Sequence, residues 1–75
     1  MDGRTKEQAL QAFPILRYFE WKHLPTHLQE VSAPVGALAE TMACYLPQNA
    51  ETSAGLRKLL EAKDAFVRAA LPAAD

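Results

Sequence analysis

"THLQEVSAPVGALAETMACYL", residues 26–46, decides how this chain folds. Within it Leu28, Val31, Val35, Leu38, Met42 and Leu46 recur at steps of three and four, so their side chains hold one face of a helix from end to end. Pro34 lies inside the pattern. A proline there lacks the N–H that an interior turn would use and bends the axis. The apolar phase nevertheless continues past it, so one kinked helix is expected rather than two short ones. Thr26 and Gln29 stand at capping-box spacing, where a hydroxyl and an amide satisfy the free backbone donors of a first turn, and they mark the start.

Toward the C-terminus, "LPQNAE" makes a tight connection with Asn49 or Thr52 as the next cap. The last helix is expected over about residues 51–71, ending at "LPAAD". Leu56, Leu59, Leu60, Phe66, Val67 and Ala70 form its apolar face, and Arg57, Glu61, Asp64 and Arg68 form a narrow polar stripe. Arg57 with Glu61 and Asp64 with Arg68 are spaced as surface ion pairs. Two long helices joined by a short turn make an antiparallel hairpin. Toward the N-terminus, Thr5 and Gln8 form another capping box and open a short helix over about residues 6–12. Pro14 biases Phe13 away from helical geometry, and "PILRYFEWKHLP" has neither alternation nor a helical stripe, so it reads as an extended arm. The expected architecture is all-α, with an N-terminal helix and arm over residues 1–18 and a helical-hairpin domain over residues 19–75.

Composition narrows the function. Seventy-five residues with 49% hydrophobic and 23% charged side chains fit one small folded domain. A chain this short buries only about 60% of its unfolded surface. Cys44 is the only cysteine, so no intrachain disulfide or cysteine-based zinc site is available, and self-association into a homo-oligomer is the expected route to stability. A net charge of -1 removes the global attraction to a DNA or RNA polymer. "MDGRTKEQAL" lacks the apolar core of a signal peptide, and no apolar run is long enough for a membrane span, so a cytoplasmic protein without a membrane partner is expected.

Two faces fit a lone chain poorly. On the back of the middle helix Ala33, Gly36, Ala37 and Cys44 are small and uncharged, with only Glu40 charged among them. Either a neighbouring chain or this chain's own arm and first helix covers that side. Lys63 falls in the centre of the apolar face of the last helix. A buried ammonium needs an answer: a stem that packs while its head reaches an edge, or an anion in a cleft between subunits.

Chemistry for catalysis is missing. His23 and His27 are separated by Pro25 and lack a third ligand for a metal. Cys44 and Ser53 have no histidine on the same element, and neither paired catalytic carboxylates nor a Gly-rich phosphate loop occurs, so an enzyme is not expected and no cofactor is implied. What remains is "FEWKHLPTHLQE", residues 19–30. Trp21, Lys22 and His23 combine a flat ring, a mobile cation and a second ring that donates hydrogen bonds. That set suits a stacked base beside a phosphate, stacking alone contributing about 1 to 3 kcal/mol per base. Packing of Tyr18, Phe19 and Trp21 onto the hairpin would account equally for the rings.

The segments "FEWKHLPTHLQEVSAPV", "LAETMACYLP" and "GLRKLLEAKDAFVRAAL" together resemble the small phage proteins of the anti-CBASS and anti-Thoeris helical-hairpin sponge family, over about residues 19–71. The resemblance implies a non-enzymatic phage protein, acting in the infected bacterial host, that sequesters cyclic oligonucleotide messengers of bacterial defence. It also implies the homohexamer of the anti-CBASS branch. By the same likeness Trp21 would stack a base and Arg68, in "FVRAALP", would contact a cyclic trinucleotide. The family's phosphate-binding lysine in the first half of the middle helix has no counterpart in "HLQEVSAPV", which leaves phosphate to Lys22, His23 or Lys63. The alternative is a small protein–protein interaction module with no nucleotide ligand.

Overall fold

The computed structural model describes residues 3–71. Helix α1 spans Lys6–Ala12, a 3-10 helix spans Pro14–Phe19, α2 spans Thr26–Tyr45 and α3 spans Ala50–Ala70. The architecture is all-α, without a strand among the described residues.

Local chemistry explains most boundaries. Thr5 Oγ1 accepts from the Gln8 N–H at 3.1 Å while Gln8 Oε1 accepts from the Thr5 N–H at 2.9 Å, so the first capping box forms as the spacing predicts. Asn49 Oδ1 accepts from the Thr52 N–H at 2.9 Å and starts α3, one residue ahead of the expected start. The second capping box does not form. Thr26 is already inside α2 behind Pro25, and Gln29 instead donates to the Lys22 and Leu24 carbonyls at 3.0 and 2.8 Å. Pro34 sits within α2, which runs unbroken as one helix.

The segment expected to be an extended arm is a 3-10 helix from Pro14 to Phe19. Pro14 occupies its first turn, where a missing N–H costs nothing. The tight turn brings Phe13 and Phe19, 3% and 4% exposed, onto one side and sinks both into the core. That core joins Ala9, Phe13 and Phe19 to Ala39, Ala43 and Leu56 of the hairpin, so the chain before residue 19 packs into the same cluster as the chain after it. The loose arm was misjudged because no helical stripe is needed when two rings supply the anchoring.

The buried face of α2 is rotated from the expected one. Leu28, Ser32, Gly36, Ala39 and Ala43 are buried, whereas Leu38, Met42 and Leu46 are exposed. Small residues allow the N-terminal layer to come close to the α2 backbone. Of the two covers left open for the small-residue side, the chain's own N-terminal layer supplies one: Gly36 is buried, Ala33 and Cys44 are half-buried, and Ala37 remains exposed.

Arg4 locks this layer in place. Its backbone N–H donates to the Cys44 carbonyl at 2.8 Å, and its guanidinium Nη1 donates to the carbonyls of Ala43 at 3.0 Å and Leu46 at 2.7 Å. These are carbonyls at the end of α2, which have no partner within the helix. The cation also faces the negative end of the helix dipole, and its Cζ lies 5.4 Å from the Phe13 ring centroid. Gln48 completes the clasp by donating from Nε2 to the Ala12 carbonyl at 3.1 Å.

Candidate functional site

A groove of about 570 Å³ opens between the N-terminal layer and the small-residue side of α2. Its volume falls within the usual range of small-molecule sites, about 300 to 1,000 Å³. The floor is Gly36 with Ala33 and Ala37, and the walls come from α1 and from the 3-10 helix with the residues after it.

Trp21 is half-buried along one wall, and its position depends on Gly36. A Cβ at residue 36 would stand 3.1 Å from Trp21 Cδ1 and 3.1 Å from the Phe19 carbonyl oxygen, a tight approach, so glycine lets the indole lie this close to the α2 backbone without either neighbour giving way. The turn after it is fixed by its own hydrogen bonds. The Leu24 N–H donates to the Trp21 carbonyl at 3.0 Å, and Gln29 holds the Lys22 and Leu24 carbonyls from below. Trp21 and Lys22 are therefore carried by a braced turn between buried Phe19 and buried Leu28.

Charges in the groove are balanced. Lys6, Arg17 and Lys22 supply cations, and Glu7, Glu20 and Glu40 supply carboxylates. Lys6 Nζ pairs with Glu40 Oε2 at 3.7 Å across exposed surface, which contributes little to stability. Arg17 donates from Nε to the Pro14 carbonyl at 3.3 Å and lies 6.0 Å from the Tyr18 ring centroid. Lys22 enters neither of the two ion pairs found among the described residues. Such a groove is no trough for a polyanion. It offers a ring face, mobile cations, and carboxylates able to accept hydrogen bonds from the amino groups of a base.

Of the residues selected from the sequence, Trp21 and Lys22 come together here. His23 is exposed in the turn and does not line the groove, and neither do Lys63 and Arg68 on α3. Lys63 finds its answer within the chain. Its side chain is 14% exposed and packed, while Nζ reaches Asp64 Oδ1 at 3.0 Å, a carboxylate that is half exposed at the edge. The expected Asp64–Arg68 and Arg57–Glu61 pairs are not formed, because the more desolvated ammonium of Lys63 claims Asp64 and exposed Arg57 gains little from a partner. Lys6 and Arg17 were missed. Neither lies near Trp21 in a local pattern, and only the folding back of α1 brings Lys6 there.

Among the described residues no cluster of three histidine, cysteine or carboxylate side chains is placed to hold a metal. No helix of the described residues is long and apolar enough to cross a membrane. Comparison of the chain with protein-family models, with curated proteins and with solved structures finds no match.

Proposed function

We propose that this chain binds a cyclic di- or trinucleotide messenger without cleaving it, and acts as a sponge that removes the messenger from a CBASS-type or Thoeris-type defence pathway. The observation that carries the reading is the groove in which a braced Trp21 stands beside Lys22, Arg17 and Lys6. The indole offers a face on which a base stacks, and the cations address the phosphate attached to it. Glu20 and Glu40 accept from exocyclic amino groups, which favours a purine or cytosine ring over an inorganic anion. His23, Lys63 and Arg68 stand outside this groove in the single chain and contribute only where a second protomer brings them to it.

The test is thermal melting with a panel of cyclic di- and trinucleotides. Ligand at one hundred times its Kd adds about 2.7 kcal/mol, which for a domain of this size raises Tm by about 10 °C or more. Trp21→Ala is expected to abolish the rise while leaving the unliganded Tm within a few degrees, and heat-released ligand is expected to be chemically intact. No rise with any member of the panel, or a rise that Trp21→Ala leaves unchanged, refutes the proposal.

A further inference from the structure

The groove is largely neutralised by its own side chains before any ligand enters. Of its three cations, Arg17 folds back on the Pro14 carbonyl and the Tyr18 ring, and Lys6 is held by Glu40, so only Lys22 is left uncommitted among the described residues. The Lys6–Glu40 pair is set apart by where it lies. It joins α1 to α2 across the groove, and both residues line it.

Its place is fixed from outside the groove. The Arg4 N–H donates to the Cys44 carbonyl and its guanidinium to those of Ala43 and Leu46, so the chain enters α1 anchored beside the last turn of α2. Gly3 adds to the anchor by running against the Tyr45 ring, where a Cβ would stand 2.8 Å from Cε1. Two residues past Arg4, Lys6 lies over Glu40, one turn back along α2 from Cys44. Thr41, next to Glu40, directs its hydroxyl to the Ala37 carbonyl at 3.0 Å. Lys6 is the one ion-pair partner of Glu40 among the described residues.

Such a pair opens easily, yet opening it has a consequence. With side chains 67% and 42% exposed, Nζ and Oε2 at 3.7 Å hold each other weakly. An anion that draws Lys6 away brings its charge up to a carboxylate that has just lost its partner. Like charges that close weaken binding by about fivefold even in water. The anion escapes this only if the same molecule offers Glu40 a hydrogen-bond donor beside the charge that Lys6 takes.

The geometry points to a ribose that carries its phosphate and a free hydroxyl on neighbouring carbons: Lys6 turns to the phosphate, and Glu40 Oε2 accepts from the hydroxyl. This rests on the groove being the messenger site and adds a rule of selection to it. Two groups on adjacent carbons lie a few ångströms apart, as Nζ and Oε2 do, so one ribose replaces both halves of the pair at once. A base amino group stands at the far edge of its ring and cannot do so alone. It can reach Oε1, which the pair leaves open, since a carboxylate accepts on both oxygens. Carboxylates read ribose hydroxyls in other nucleotide sites, and that hydroxyl is what separates ribose from deoxyribose. Bare anions meet Glu40 unrelieved, so the pair guards Lys6 against them.

Inorganic pyrophosphate tests the guard without any nucleotide, by isothermal titration and by the fluorescence of Trp21, the only tryptophan. Glu40→Ala is expected to tighten pyrophosphate about fivefold with helicity unchanged. Lys6→Ala in the same background is expected to cancel the gain.

An adenosine monophosphate whose phosphate neighbours the free ribose hydroxyl, set beside its deoxyribose counterpart, tests the selection. The unaltered chain is expected to prefer the ribose form about tenfold, and Glu40→Ala to remove the preference by weakening the ribose form and tightening the deoxyribose form. Opposite signs for two molecules that differ by one oxygen are not the mark of a loosened fold. Glu7→Ala takes the same charge from the groove without touching the pair. It is expected to shift both forms in one direction and leave the preference intact.

The inference is overturned by an unaltered chain without the preference, by a preference that survives Glu40→Ala, or by a pyrophosphate gain that is absent or indifferent to Lys6→Ala. Cyclic di-AMP and cyclic tri-AMP, titrated in parallel, keep the two readings apart. If neither binds while the monophosphates and pyrophosphate behave as expected, the messenger reading fails and the role of the Lys6–Glu40 pair stands.

Discussion

The two sides of the hairpin are built from the same helices yet meet different fates, and the difference lies in side-chain size. On the groove side α2 presents Ala33, Gly36 and Ala37, which bring little apolar area of their own but admit the rings of Phe19 and Trp21. On the opposite side it presents Leu38 and Met42, which bring apolar area yet stay 47% and 37% exposed. Small residues were the ones covered. Close approach of backbone and ring, more than the hydrophobicity of the face itself, determines which flank the N-terminal layer takes.

The sharpest way to break this contrast is to remove the ring that creates it. Phe19 is 4% exposed and joins the 3-10 helix to Ala39 and Leu56 in the core. Phe19→Ala is expected to cost about 3 to 5 kcal/mol, much of the total stability of a domain this size, about 0.05 to 0.15 kcal/mol per residue. Urea titration should show a native baseline shortened or lost. Phe66→Ala, measured in protein dilute enough to be single-chain, should cost under about 1 kcal/mol, since a half-exposed ring leaves no sealed cavity. Equal costs for the two phenylalanines would mean that the N-terminal layer is not what covers the hairpin.

Next in size is the clasp that holds the layer down. Arg4→Ala removes two guanidinium bonds to carbonyls at the end of α2, and hydrogen bonds from a charged donor contribute about 1.5 to 3 kcal/mol each. Because those carbonyls are near solvent and water replaces part of the loss, a net cost of about 2 kcal/mol is expected in chemical denaturation. Arg4→Lys should recover only part of it, since the shorter side chain carries a more strongly hydrated ammonium that must reach the point from which Nη1 donates both bonds. Trp21 fluorescence offers a second reading. If the layer loosens locally before global unfolding, the emission shifts to the red at lower urea than the loss of helicity.

How far this was legible in the sequence follows from the range of each interaction. The ends of α1 and α3 were readable because the capping residues Thr5, Gln8 and Asn49 act within three residues of themselves. The single helix through Pro34 was readable from a phase that continues past it. The buried line of α2 was not, since hydrophobic periodicity weights Leu38 and Met42 above Gly36 and Ala39 and is blind to how close a neighbour can come. Arg4 was invisible because its acceptors lie 39 and 42 residues away. Trp21 and Lys22, adjacent in the chain, both line the groove. Lys6 and Arg17 reach it only through the turn at Pro14, and Lys63 stands outside it, paired with its neighbour Asp64 where the spacing had suggested an Asp64–Arg68 pair.

The smallest expected effect sits in the plane between the two sides. Ser32 is buried on α2, and its Oγ has no hydrogen-bond partner. A hydroxyl in that position has lost its water without gaining an acceptor, a penalty of about 1 to 3 kcal/mol where it is complete. Ser32→Ala keeps the Cβ, removes the orphaned oxygen and raises helix propensity slightly. The cavity left by a single oxygen subtracts from that gain. A net stabilisation of about 1 kcal/mol is expected, which for a domain of this length is a Tm rise of about 4 to 8 °C. Ser32→Val, which fills the same space with an extra methyl, should instead lower Tm, because the close packing around α2 leaves no room for it. A lower Tm for Ser32→Ala would mean that the hydroxyl is satisfied after all, by a bound water or by a second chain. That would make Ser32 a reporter of association, with the cost of removing it growing as the protein is concentrated.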